Sequence, residues 1–113
     1  MPTTPNLAAS DSPPARIVVP LPEGLTRELV SDYLDDCQKD LSALGAALVE
    51  REYERARVFG HQMKGTGSPF GFPSLTRFGT AIEQAAANQD TPALDHLVNQ
   101  LEQYLSRVEI AGE

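Results

Sequence analysis

Four stretches of this sequence repeat their apolar residues every three or four positions, and no stretch alternates with a period of two. The first carries Val30, Leu34, Cys37, Leu41, Leu44 and Leu48; the second starts near Glu52 and carries Ala56, Phe59, Met63 and Gly67. The third carries Phe72, Leu75, Phe78, Gly79, Ile82 and Ala86, and the fourth Leu94, Leu97, Val98, Leu101, Leu105 and Val108. Each pattern gives a helix one apolar stripe that must be covered. Short connections between four such helices predict an all-α, antiparallel up-down four-helix bundle with no sheet. Thr26 and Ser31 are both candidate caps, so a short N-terminal helix or a lead-in is expected before the first long helix, which ends near Glu50. The second helix must stop near Pro69, because a residue before proline avoids the helical region. Pro73 suits the first turn of the third; Thr91 as N-cap and Pro92 at the first helical position open the fourth.

What precedes the helices has a different composition. Six of the nine prolines fall within the first 22 residues, among Ser, Thr and Asn. Residues 1–16 therefore read as a disordered Pro-rich tail and residues 17–113 as one domain, with Ile17, Val18, Val19 and Leu21 as an extended apolar lead-in. The leading Met1 and this tail favour a stand-alone chain. The net charge of −7 disfavours a nucleic-acid partner and an anionic membrane surface alike. No run reaches the roughly 18 apolar residues of a membrane span, and no secretory leader is visible. The single cysteine, Cys37, excludes an internal disulfide and suits a reducing compartment, so a cytoplasmic location is expected; a monomer is expected as well.

The stretch "FGHQMKGTGSPFGF", residues 59–72, stands out within the second helix because it holds four glycines around one histidine. Each helical glycine costs about 1 kcal/mol relative to alanine. At about 100° per residue, Ala56, Phe59, Met63 and Gly67 lie roughly 160° to 240° from His61. The histidine is thus expected to face outward. Arg57 and Lys64 lie on one side of it and Gly65 on the other, on the same surface patch. A glycine there lets a partner approach closely. An ammonium beside an imidazole suits a nucleophile that acquires phosphoryl charge. His96, next to the stripe residue Leu97, has no such surroundings and reads as an ordinary surface histidine.

With these residues in view, "HQMKGTGSPFG" resembles the signature of histidine-containing phosphotransfer (HPt) domains, H-x-x-K-G with a further glycine ten residues after the histidine: His61, Lys64, Gly65 and Gly71. The resemblance extends from Leu25 to Val108. It implies that His61 is a phospho-acceptor shuttling a phosphoryl group between receiver-domain aspartates, in phosphorelay (two-component) signalling. It implies that Lys64 stabilises the phosphoryl group. It implies too that a residue twenty-two positions on, Glu83, hydrogen-bonds the ring; periodicity puts Glu83 at the edge of the third stripe, beside Ile82. A carboxylate holding Nδ1–H leaves Nε2 as the nucleophile. Arg57, Gly65 and Ser68 are the expected docking residues for receiver domains of response regulators or hybrid kinases. Some relatives have a proline where the first long helix starts; Ser31 in that place blurs only a boundary. On this reading the protein is a phosphocarrier and not an enzyme with its own nucleotide machinery, it needs no cofactor, and Mg²⁺ belongs to the receiver.

Other classes fit less well. The spacing from Gly60 to Gly65 resembles part of a phosphate-binding loop, but Thr66 stands where that loop needs lysine and no strand precedes it. His61, His96 and Cys37 fall on different helices without paired metal-ligand spacing. No serine or cysteine has a credible base nearby for hydrolysis. A helical adaptor that docks a signalling partner without being phosphorylated is the remaining alternative.

Overall fold

The computed structural model describes residues 16–111. Apart from Arg16, the expected disordered tail lies outside the described residues. The chain runs β1 (Ile17–Val19), α1 (Arg27–Val49), α2 (Tyr53–Thr66), α3 (Pro73–Ala87), α4 (Thr91–Arg107) and β2 (Val108–Ile110). Successive helices pack against one another and α4 closes back on α1, so the expected all-α bundle is what forms. Val30, Leu75, Ile82, Leu94 and Leu101 are fully buried at its centre, with Phe72 entering from the connection before α3.

The ends of the helices follow from local chemistry. Thr26 accepts a hydrogen bond from Leu29 N at 3.1 Å and starts one continuous helix; Ser31 lies inside it, and among the described residues the lead-in, not a short helix, precedes α1. After Val49 the chain turns through Arg51 at φ 59°, and Glu52 N bonds back to Ala47 O at 2.8 Å, closing the helix with a left-handed residue. Gln89 at φ 52° closes α3 in the same way. Asp90, not Thr91, caps α4: its carboxylate accepts from Ala93 N at 3.2 Å, while the Thr91 hydroxyl is 2.6 Å from Tyr53 OH. Asp is the stronger cap, and Thr91 is free to tie the start of α4 to the start of α2.

The expectation of no sheet fails. The lead-in is a strand that pairs in parallel with β2, in the register Ile17 to Val108, Val18 to Glu109 and Val19 to Ile110. Arg16 reaches Glu109 at 3.2 Å and Arg27 donates to the Ala111 carbonyl at 3.2 Å. Three residues are too short to display alternation, and Val108 continues the α4 stripe. The clasp was therefore hidden inside a helical pattern. From β1 the chain passes over the α2–α3 connection, where Gly71 has φ 95° and a β-carbon would meet the Pro22 ring at 2.5 Å.

Candidate functional site

The seam between α2 and α3 sets the geometry of the site. A β-carbon on Gly60 would lie 2.5 Å from Glu83 N and 2.8 Å from Gly79 O. One on Gly79 would run into Lys64 N and lie 2.6 Å from Gly60 O; one on Gly67 would lie 2.5 Å from Thr76 N. These three glycines bring the two backbones into contact. The sequence offered a reason only for Gly65, as room for a partner beside His61. Gly60 and Gly67 serve the packing, and only at Gly65 would a β-carbon meet nothing within 4 Å. Thr76 fastens the same seam, donating to Lys64 O at 3.1 Å and accepting from Ser68 N at 2.8 Å.

Close backbones let short side chains meet across the seam. His61, with 63% of its side chain exposed, places Nδ1 at 3.1 Å from Glu83 Oε2, and Lys64 Nζ lies 2.8 Å from Glu83 Oε1. Arg57 NH1 is 3.9 Å from Glu83 Oε2. Its other guanidinium edge is bidentate on Glu54, at 3.0 Å from Nε and 2.6 Å from NH2. The side of α2 that carries Arg57 and Lys64 is the side that leans on α3. Gly65 lies on the other, open side.

Electrostatics fix the protonation pattern. The hydrogen bond from Lys64, and then that from His61, hold the Glu83 carboxyl below the usual carboxylate range against the opposing effect of desolvation. An ionised carboxylate only accepts, so His61 Nδ1 is the donor in this contact, and in the neutral imidazole Nε2 is then the nitrogen with the lone pair. A hydrogen bond from Arg57 likewise holds Glu54 low.

The remaining candidates fall outside this cluster. Ser68 is exposed just past the end of α2, seven positions after His61, and joins the seam through its backbone. His96 is exposed on α4. Burial pushes the Cys37 thiol up to about 11, so it is protonated and unreactive at neutral pH. Among the described residues no group of three or more His, Cys, Asp or Glu side chains is placed to hold a metal ion. Nor is any helix there long and apolar enough to cross a membrane.

Sequence reasoning missed the seam roles of Gly60, Gly79 and Thr76, and missed Glu54; Gly79 was placed on the third stripe, but the facing backbone that each of the three meets leaves no periodic signal. Glu54 to Arg57 was visible as an i, i+3 pair of opposite charge. A family model described as Hpt domain matches residues 28–111, which take in all but the first residue of α1 together with α2, α3, α4 and β2. No curated protein and no solved structure matches the chain.

Proposed function

Because the chain belongs to the Hpt domain family, whose members carry phosphoryl groups in two-component phosphorelays, we propose that His61 is its phospho-acceptor. The observation that carries this is the oriented imidazole: Glu83 Oε2 lies 3.1 Å from Nδ1 on a side chain that is 63% exposed, so Nε2 is the nitrogen left to react. Nε2 attacks the phosphorus of an aspartyl phosphate on a receiver domain. The N–P bond forms, the acyl P–O bond breaks, and the aspartate leaves as a carboxylate. The Nδ1 proton stays between His61 and Glu83 throughout. Transfer onward is the same displacement in reverse, by the aspartate of another receiver. The Mg²⁺ that assists these steps belongs to the receiver.

Each remaining residue has a task in this reading. Lys64 supplies an ammonium to the new phosphoryl oxygens, a charge-assisted contact of the stronger kind. Gly65 and Arg57 lie on the patch around His61 and Ser68 lies exposed past the end of α2; a receiver would rest across them, and Gly65 leaves room for it. The acid balance of the chain supports protein partners over nucleic acid, and its one buried cysteine supports a cytoplasmic setting, where it acts as a monomer.

The test is transfer from a panel of phosphorylated receiver domains of the source organism. The parent protein should gain acid-labile phosphate, and His61→Gln should stay folded and gain none. Phosphate on the His61→Gln variant would move the site elsewhere.

A further inference from the structure

Glu83 faces three donors from α2, and they are not equivalent. Lys64 Nζ holds Oε1 at 2.8 Å and His61 Nδ1 holds Oε2 at 3.1 Å, while Arg57 NH1 waits at 3.9 Å from Oε2, beyond hydrogen-bond distance. Glu54 grips the Nε and NH2 edge of that guanidinium, which turns NH1 toward Glu83. A guanidinium offers a rigid fork of five donors, so holding one edge aims the other. Arg57 is therefore a cation held in place, about 1 Å short of the bond it is aimed at.

Phosphorylation of His61 makes that arrangement matter, and this part of the inference rests on the proposed function. A phosphoryl group brings a charge of about −1.5 to −2. Lys64 cannot serve the phosphoryl oxygens and Glu83 equally. As its ammonium turns to the new anion, Glu83 loses its shortest partner while it must still hold Nδ1–H. An ionised carboxylate left beside a phosphoryl group without a cation would take up a proton or swing away. Either change would release the ring.

We propose that Arg57 is a positioning residue that replaces Lys64 on Glu83 when Lys64 engages the phosphoryl group, with Glu54 holding it in readiness. The exchange closes a gap of about 1 Å and needs no backbone movement. It gives Arg57 a role inside the site in addition to its place at the docking surface.

The test reads Glu83 directly and needs no phosphate, so it stands or falls apart from the phospho-acceptor reading. Lys64→Ala mimics the departure of the ammonium. Carboxyl carbon NMR titration of Glu83 is run on the parent, Lys64→Ala, Arg57→Gln and the double variant. Each single variant should shift the Glu83 midpoint by a few tenths of a pH unit, because the other cation covers it. The double variant should raise it by about one unit or more, well beyond the sum of the singles. Arg57→Lys in the Lys64→Ala background should recover part of the shift, and Glu54→Gln in that background should lose part of it. Additive shifts, with Lys64→Ala alone giving the full rise, would overturn the proposal. In a second arm, the phosphohistidine form is made with phosphoramidate, which needs no receiver. Arg57→Gln should then weaken the Nδ1–H bond, read from the imidazole nitrogen shifts, in the phosphorylated form and not in the unphosphorylated one. Equal change in both forms would mean that Arg57 only supports the fold.

Discussion

The α2–α3 seam and the contacts made by α1 solve the same packing problem in opposite ways. Helix α1 meets its neighbours through side chains: Leu41, Leu44 and Leu48 fill the core, and Tyr33 stacks on Phe70 with ring centroids 4.3 Å apart. Helices α2 and α3 meet through backbone, at Gly60, Gly67 and Gly79. Side-chain packing tolerates adjustment, because rotamers move and small gaps relax. A backbone contact has no such freedom. The stiffer seam is the one that carries the site, and it places a histidine and a glutamate twenty-two residues apart at 3.1 Å.

Substitutions can break this contrast, and the seam should show the largest effect. Gly79→Ala drives a methyl group into Lys64 N and Gly60 O, where no flexible side chain can yield. We expect a loss of about 3 kcal/mol, seen as a melting temperature lower by roughly 10–20 °C. The His61–Glu83 pair should part as well. A Gly79→Ala protein that melts with the parent would show that the seam is not rigid.

On the α1 side, Tyr33→Phe removes the hydroxyl that lies 2.8 Å from Thr66 Oγ1 but keeps the stack on Phe70. Thr66 retains its bond to Gln62 O at 3.1 Å. The expected loss is about 1 kcal/mol by denaturant titration, with phosphotransfer unchanged. A comparable loss of transfer would mean that α1 shapes the site more directly.

Glycines away from the seam should respond with the opposite sign. At Gly65 and Gly45 an added β-carbon meets nothing within 4 Å and neither residue has a positive φ. Alanine at either should raise stability by up to about 1 kcal/mol. Gly65→Leu should also stay folded, yet slow transfer from receivers because it stands beside His61; Gly45→Leu should not. Equal transfer by both leucine variants would remove Gly65 from the docking surface.

The smallest expected effect concerns pH. Glu83 is held below its unfolded value, so its contribution is present above the ordinary carboxylate range and is lost as pH falls through its lowered folded value. The difference in melting temperature between parent and Glu83→Gln should be constant near neutrality and shrink in acid. A difference that grows on acidification would reverse the assigned sign.

Legibility in the sequence followed the same division. Stripes such as Val30 to Leu48 and Leu94 to Leu105 report burial by side chains, and they located all four helices. What depends on a facing backbone was not legible. Gly60 looks like a helix-weakening residue and Gly79 like a small member of an apolar stripe until the two helices are brought together; periodicity put Gly67 on the stripe and Gly65 on the exposed patch, but could not say how closely the backbones approach. The strand pair failed for a related reason, since Ile17 and Val108 lie far apart along the sequence and neither strand is long enough to show its period. At the site, periodicity found the outward face of His61, with Arg57 and Lys64 on one side. Glu83 came from the family resemblance, with periodicity adding only that it lay at a stripe edge. Asp90 as the cap of α4 was available from local chemistry, and Thr91 was preferred only because it stood next to proline.

The central claim is that Glu83 fixes the ring so that the phosphoryl group arrives on one particular nitrogen. The direct measurement is proton–nitrogen and phosphorus NMR of the imidazole-labelled protein after phosphorylation by a receiver. The account predicts a single phosphorylated nitrogen, Nε2 of His61, with the proton still on Nδ1 and His96 unmodified. Phosphate on Nδ1 of His61, or on His96, would contradict it.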